Sequence, residues 1–189
     1  MLVREEQQVE ESGSTHNNTM IERRDTTHNN TTLTYSTTTV CGWTVKYQPG
    51  LWQFCPPLKD LLTEDLEEVA ALVPPDILSC MRSTIIYINK TFRYPGDDYN
   101  ILGACVHWSA CWLEENKNLK EKESHVEIYD CWSYKEWVIT QPAMLLHELC
   151  HALHWRRRSE LDDLISEAFE EAMKTDKYQK VFHFDHSIR

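Results

Sequence analysis

His147, Glu148 and His151 have the residue types and the spacing best suited to chemistry, because they stand in the pattern H-E-x-x-H. Residues four apart lie on one face of an α-helix, so the two imidazoles are predicted to bind one zinc ion together. Zinc lowers the pKa of a bound water to about 7, and Glu148 is predicted to take the proton as general base. The pattern therefore predicts a zinc-dependent hydrolase, typically a metallopeptidase with a peptide or protein substrate.

A catalytic zinc site needs a third protein ligand and one open position. The best candidate within the chain is Glu167, which follows His151 by sixteen residues and has Glu171 one turn further on. An ordinary solvated acidic helix face is the favoured alternative for Glu167. His154 shares the histidine stripe, but one straight helix rarely supplies three ligands to one ion. Cys150 lies between the two histidines and faces another side of the helix, which disfavours it as a thiolate ligand.

The helix that must position these residues is predicted over residues 142–155. Thr140 is the predicted N-cap, and Pro142 falls near the first helical position, where proline is tolerated. Residues 156–158 are all arginine and are predicted to complement the negative end of the helix dipole. A broad apolar face is predicted to bury the helix in a core, and it comprises Met144, Leu145, Leu149, Cys150, Ala152 and Leu153. Without a metal, the same pattern fits an amphipathic helix with its histidines in solvent.

Hydrophobic periodicity predicts the remaining elements. Strands are predicted at residues 43–47, 84–88 and 125–129, and residues 104–113 are predicted as a strand that turns into an active-site edge. Helices are predicted at residues 58–72, 77–81, 134–138 and 161–173, with loops at 93–100 and 114–124. A few strands and a helix, followed mainly by helices, predict the α+β class.

Residues 1–40 differ in composition from the rest of the chain. Thr, Ser and Asn dominate, and the sequence Thr-His-Asn-Asn-Thr at residues 15–19 recurs at 27–31. Such composition predicts a low-complexity, disordered tail. The folded domain is therefore predicted over residues 41–189.

Charge and composition exclude several partners. A net charge of −11 and the lack of an extended basic patch argue against nucleic acid. No apolar run approaches the length of a membrane span, so no membrane association is predicted. Residues 1–11 are charged and polar, without the apolar region of a secretory signal, which favours an intracellular chain. The seven cysteines are odd in number and form no C-x-x-C, so neither a zinc ribbon nor a disulfide framework is predicted.

The stretch from Gln141 to His154 resembles the active-site helix of a poorly characterised group of zincin-like zinc metallopeptidases. Its members show Gln-Pro, two aliphatic residues and then His-Glu-Leu-x-His-Ala-x-His. Weaker likenesses bring the resemblance to about residues 41–182. These comprise residues 43–47, His107-Trp108-Ser109 (their His-Pro-Ser), Trp112-Leu113 (their Trp-Leu), residues 126–128, and Phe169-Glu170 with Ala172 and Tyr178.

The resemblance implies a zincin fold, with His147 and His151 as zinc ligands and Glu148 as general base. It also implies a third, glutamate ligand in an acidic segment beyond the end of this chain. Because the chain ends at Arg189, a truncated member with an incomplete site is expected. The alternative function is then a non-catalytic zincin relative that acts as an interaction module. His107 is expected either near the cleft or as a structural histidine, whereas His183 and His186 are expected in solvent.

Overall fold

A five-stranded mixed sheet lies at the centre of the computed structural model, which describes residues 33–92 and 103–175. The strand order is β1-β2-β3-β5-β4. The strands are β1 (Ser36–Val40), β2 (Trp43–Tyr47), β3 (Ile86–Ile88), β4 (Ala104–Val106) and β5 (Val126–Ile128). β2, β3 and β5 are parallel, whereas β1 and β4 run antiparallel to their neighbours at the two edges.

Seven α-helices accompany the sheet in the part of the chain that is described. They are α1 (Leu51–Phe54), α2 (Leu58–Leu72), α3 (Pro75–Met81), α4 (Ala110–Glu115), α5 (Cys131–Thr140), α6 (Met144–Arg156) and α7 (Arg158–Met173). A 3₁₀ turn, Lys120–Lys122, precedes β5. The predicted α+β class is confirmed, and the predicted bounds of β2 and α2 match the structure.

The first strand corrects the predicted boundary at residue 40. Ser36–Val40 pairs with β2 in a hairpin, from Ser36 opposite Tyr47 to Val40 opposite Trp43. Cys41 and Gly42 both have positive φ, 47° and 90°, as a two-residue hairpin turn requires. The threonine-rich composition predicts a tail, but threonine also suits a strand that has a partner. The predicted tail as far as residue 32 lies outside the described residues.

The two faces of the sheet differ in polarity because successive side chains of a strand point to opposite sides. One face is apolar and joins the helices in the core, with Val45, Ile86, Ile88, Val126 and Ile128 fully buried. Leu149 and Ala152 of α6 belong to that same core. α6 therefore lies against the apolar face, beside β4 and β5.

The start of α6 differs from the prediction. Thr140 is not its N-cap but the last residue of α5, and α6 begins at Met144 after Ala143. Pro142 disfavours helical backbone at Gln141, which has φ −130° and ψ 81°, so the chain breaks before the proline. Ala143 then turns the chain into α6 with φ 65°. Arg156 lies in the last turn of α6, and it donates to the Ser124 carbonyl and the Thr84 hydroxyl.

Other predicted elements shift modestly. Residues 104–113 form β4 and then α4 rather than one continued strand, and the short helix predicted at 134–138 is the longer α5. The loop predicted at 93–100 lies outside the described residues. All seven cysteines are free. Across residues 33–92 and 103–175, no helix is both long enough and apolar enough to span a bilayer.

Candidate metal centre

The histidine pair, His147 and His151, converges on the solvent-facing side of α6. Their Nε2 atoms lie 2.9 Å apart, and their rings are perpendicular with centroids 4.4 Å apart. Zinc–nitrogen bonds of about 2.0–2.1 Å in a tetrahedral site separate two ligand nitrogens by about 3.3 Å. The observed separation is only slightly shorter, so small side-chain rotations would let both imidazoles bind one ion. Their donor set, imidazole nitrogen, is one that zinc prefers.

Glu148 lies between the histidine pair in sequence and turns toward the sheet. Burial raises the pKa of its carboxyl to about 7, and a hydrogen bond from the Val106 backbone N–H partly opposes this. Val106 belongs to the edge strand β4, so the outer edge of the sheet holds this carboxyl in place. A carboxyl with a pKa near neutral can both accept and return a proton.

His151 is further shaped by its aromatic neighbour. Trp108 contacts its ring edge-on, with centroids 5.7 Å apart, and also contacts Trp155 at 5.0 Å. Burial lowers the pKa of His151, and His147 and His154 lower it further. The imidazole is therefore neutral at physiological pH, which is the form that binds metals.

None of the other candidate ligands that the structure describes forms a metal site with the histidine pair. Glu167 lies exposed on α7, and no group of three or more His, Cys, Asp or Glu side chains suited to a metal occurs within the described ranges. Cys150 is exposed on α6. His154 instead pairs with Asp162 of α7, at 2.6 Å from Nε2 to Oδ1. His183 and His186 lie outside the residues that the structure describes.

His107 belongs to a second polar cluster on the opposite face of the sheet. We call this cluster the buried network: Glu127, Lys122, His107, Asn89 and Asn118, all of them buried. His107 Nε2 lies 2.6 Å from Glu127 Oε2, and Asn118 Nδ2 donates to the same oxygen at 2.9 Å. Lys122 Nζ and Asn89 Nδ2 donate to Glu127 Oε1. His107 is therefore a structural histidine whose imidazole is held by Glu127.

Electrostatics within the buried network favour the ionised carboxylate. Burial alone raises the pKa of Glu127, but the hydrogen bond from His107 and the charge of Lys122 outweigh it, so that the pKa falls to about 2. Burial lowers the pKa of Lys122, and the attraction to Glu127 opposes that change. The carboxylate thus compensates for the cost of burying the lysine.

Cys105 adjoins the buried network but lacks the properties of a nucleophile. Its Sγ lies 3.6 Å from His107 Nε2 and 2.5 Å from the Tyr129 hydroxyl. Burial raises the pKa of the thiol well above its usual value. A buried thiol that stays protonated is unreactive, so the adjacent cysteine and histidine do not make a thiol active site.

Sequence reasoning missed the buried network, although one signal pointed to it. Glu127 and Tyr129 alternate with apolar residues in and after β5, and Cys105 and His107 do the same in and after β4. This alternation puts polar side chains on one face of the sheet. Residues 114–124 were predicted as a charged loop, and nothing in that prediction indicated that Lys122 is fully buried. Its partner, Glu127, could not be inferred from local sequence.

Comparisons with known proteins found no match for this chain. No family model matches the sequence, and neither a curated protein nor a solved structure gives a significant match. The function must therefore be argued from the geometry and chemistry of the site itself.

Proposed function

We propose that this protein is a zinc-dependent hydrolase of the zincin type that acts on a peptide or protein. The observation that carries the proposal is the approach of His147 Nε2 and His151 Nε2 to 2.9 Å on the solvent-facing side of α6. The spacing H-E-x-x-H gives both imidazoles one helix face, and the neutral form of His151 suits a ligand. Zinc is the cofactor that this donor set favours.

Each residue of the motif has a defined role in this proposal. His147 and His151 would hold the zinc, and the bound ion would act as a Lewis acid that makes water a nucleophile at neutral pH. Glu148 accepts a proton from the attacking water and returns it to the leaving amine. The Val106 N–H holds the carboxyl in place, and burial raises its pKa to about 7 in the metal-free protein. A carboxyl poised in this way is suited to accept and return a proton.

The edge strand next to α6 supports a peptide as the substrate. Among the described strands, β4 is one of the two edge strands, and it is antiparallel to β5. An edge strand presents backbone groups with which an extended peptide can pair.

Zinc content of the purified full-length chain tests the metal site. We expect about one zinc per chain in the parent and none after His147→Ala, because one imidazole cannot hold the ion. His154→Ala is the matched control on the same helix, and it should retain the zinc because His154 pairs with Asp162. Equal zinc content in the parent and His147→Ala would refute the site. Glu167 stays a prediction, and Glu167→Gln should weaken zinc binding if it is the third ligand.

Hydrolysis of an unstructured protein such as casein tests the reaction. Glu148→Gln is expected to retain zinc and to lose about 10²–10⁴-fold in rate, the contribution of a general base. Glu170→Gln, an exposed glutamate on α7, is the control and should leave the rate unchanged. Activity that survives Glu148→Gln would contradict the role of that residue.

A second candidate function is a non-catalytic zincin relative that serves as an interaction module. One observation favours it: α7 has no buried residue and exposes Leu164, Ile165, Phe169 and Met173. Exposed apolar side chains at helical spacing are typical of a surface that binds a partner. Weak zinc binding without hydrolysis would favour this candidate over the enzyme.

A further inference from the structure

We propose that Trp108, together with Trp155, forms an aromatic surface that binds a large aromatic side chain of the peptide next to the scissile bond. This inference rests on the proposed function, because it names the substrate class for that same site. Trp108 contacts the ring of His151 edge-on at 5.7 Å and remains 42% exposed. A side chain that stacks on Trp108 would therefore lie directly beside the histidine pair.

The direction of Trp108 follows from the buried network. His107 points into the network, where Glu127 holds its imidazole at 2.6 Å. Neighbouring residues in extended chain point to opposite sides, so Trp108 turns away from the network and toward α6. The backbone that presents Trp108 is thus anchored by the buried contact between His107 and Glu127. A rigidly presented aromatic ring loses little entropy when a ligand stacks on it.

Trp155 completes the aromatic surface from the end of α6. Its ring lies 5.0 Å from that of Trp108 at an interplanar angle of 56°, and the Arg158 guanidinium lies 5.1 Å from the Trp155 ring. Trp155 is half-buried, so Trp108 is the more exposed ring for an incoming group and Trp155 lies at its side. Two aromatic rings in offset or edge-to-face contact attract each other beyond the effect of buried area, and an aliphatic side chain lacks this attraction. The occupant is therefore a phenylalanine, tyrosine or tryptophan side chain.

Peptide binding to zinc-loaded Glu148→Gln, the slow variant, tests the aromatic surface without relying on turnover. The probes are two fluorescein-labelled nonapeptides of Gly and Ser that differ only in a central Phe or Ala, followed by fluorescence anisotropy. We expect the Phe peptide to bind about tenfold or more tightly than the Ala peptide, as filling one apolar site allows. Adding Trp108→Ala should bring this ratio close to one, and Trp108→Phe should largely preserve it.

Trp132→Ala is the matched control, because Trp132 is 41% exposed but lies on α5 and contacts Phe54. It should leave the ratio unchanged. Equal binding of the two peptides, binding of neither, or a ratio that survives Trp108→Ala would overturn the inference. Loss of zinc after Trp108→Ala with the ratio retained would also overturn it, because Trp108 would then only orient His151.

Hydrolysis of the same peptides by the parent protein separates this inference from the proposed function. A preference for Phe in binding, without hydrolysis of either peptide, supports the aromatic surface and counts against the hydrolase. Hydrolysis of both peptides at equal kcat/KM supports the hydrolase and overturns the aromatic surface.

Discussion

Two regions of the described residues combine histidine with glutamate, on opposite faces of the sheet beside β4. In the buried network, His107 and Lys122 surround the Glu127 carboxylate, which is fully buried. On α6, the histidine pair faces solvent and Glu148 has a carboxyl whose pKa is raised by burial. The same residue types thus give the lowered pKa of Glu127, about 2, and the raised pKa of Glu148, about 7.

Partners, more than burial itself, account for this difference. Burial raises the pKa of both carboxyls, but only Glu127 has a lysine and an imidazole that reverse the effect. A carboxylate held by fixed cations contributes to stability and has little capacity to exchange protons. A carboxyl without such cations is free to take part in chemistry. Sequence motifs alone do not separate these two situations.

The same substitution in both regions should give the largest contrast. Glu127→Gln is expected to lower the free energy of unfolding by about 3–5 kcal/mol, because it leaves Lys122 buried without a counter-ion. Glu148→Gln should leave that free energy unchanged or raise it, since no cation depends on it. Urea unfolding measures both, with the exposed Glu115→Gln as a control within about 0.5 kcal/mol of the parent. If Glu127→Gln and Glu148→Gln lost equal free energy of unfolding, the two carboxyls would not differ in their contribution to stability.

Zinc should separate the two regions by its effect on stability. At a free concentration of about 100 times its Kd, zinc should raise the free energy of unfolding by about 2.7 kcal/mol. His147→Ala should abolish this increment because it removes a ligand. His107→Ala should lower the metal-free stability and still show the increment. Thermal unfolding with and without zinc measures this increment as a rise in Tm of roughly 5–10 °C. If His107→Ala abolished the increment, the assignment of the zinc site to His147 and His151 would be contradicted.

Acid should weaken the fold through His125, which lies outside both regions. Its Nδ1 accepts a hydrogen bond from the Ile85 N–H at 3.1 Å, and burial, Arg156 and Lys46 lower its pKa to about 4. In the unfolded chain the imidazole has its ordinary pKa of about 6.5, so between pH 6.5 and 4 the unfolded chain binds a proton that the folded protein does not. The contribution of His125 to the free energy of unfolding is therefore present above pH 6.5 and is lost as the pH falls toward 4.

Because solvent partly screens His125, we expect its protonation to lower the free energy of unfolding by only about 1 kcal/mol. His125→Asn keeps an acceptor that does not titrate in this range, so it should flatten the loss between pH 6.5 and 4. Urea unfolding across that range measures it. Glu127, with its pKa lowered to about 2, should add a further loss only below its ordinary pKa of 4.5. An unchanged slope in His125→Asn would show that another group titrates there.

The turn into α6 offers the smallest test. Ala143 has φ 65°, a left-handed backbone conformation that glycine adopts without strain and alanine does not. Ala143→Gly should therefore stabilise the fold by about 0.5 kcal/mol, after the entropy that glycine adds to the unfolded chain. Ala168→Gly, in the exposed interior of α7, should instead cost about 1 kcal/mol. Denaturant midpoints report both changes, and a loss at residue 143 would mean that the turn is not strained.

Local periodicity was enough to predict some elements closely. α2 was predicted at its observed bounds, because leucines recur at helical spacing between two proline pairs. β2 was also predicted at its observed bounds. The motif predicted that His147 and His151 share a helix face, and they do. These features depend on residues close together in the chain, so sequence alone can specify them.

Features that depend on distant residues were missed. Ser36–Val40 is a strand because β2 lies beside it, and its own composition gives little sign of this. Lys122 is buried because Glu127, Tyr35 and the strands cover it, whereas its neighbours in sequence are charged and exposed. Trp108 reaches His151 across 43 positions of sequence. Pairings of this kind are set by the tertiary fold and leave only alternation as a local signal.

The link between Tyr35 and the buried network has a consequence for synthesis. Lys122 donates to the Tyr35 hydroxyl at 2.8 Å across 87 positions of sequence. The hairpin of β1 and β2 therefore leaves the ribosome well before the lysine and glutamate that complete its packing. At about 5–20 residues per second, this interval is on the order of ten seconds. In the first half of this interval β2 has an open edge because β3 (Ile86–Ile88) has not yet been made. We therefore expect folding of this domain to be slow and sensitive to chaperones.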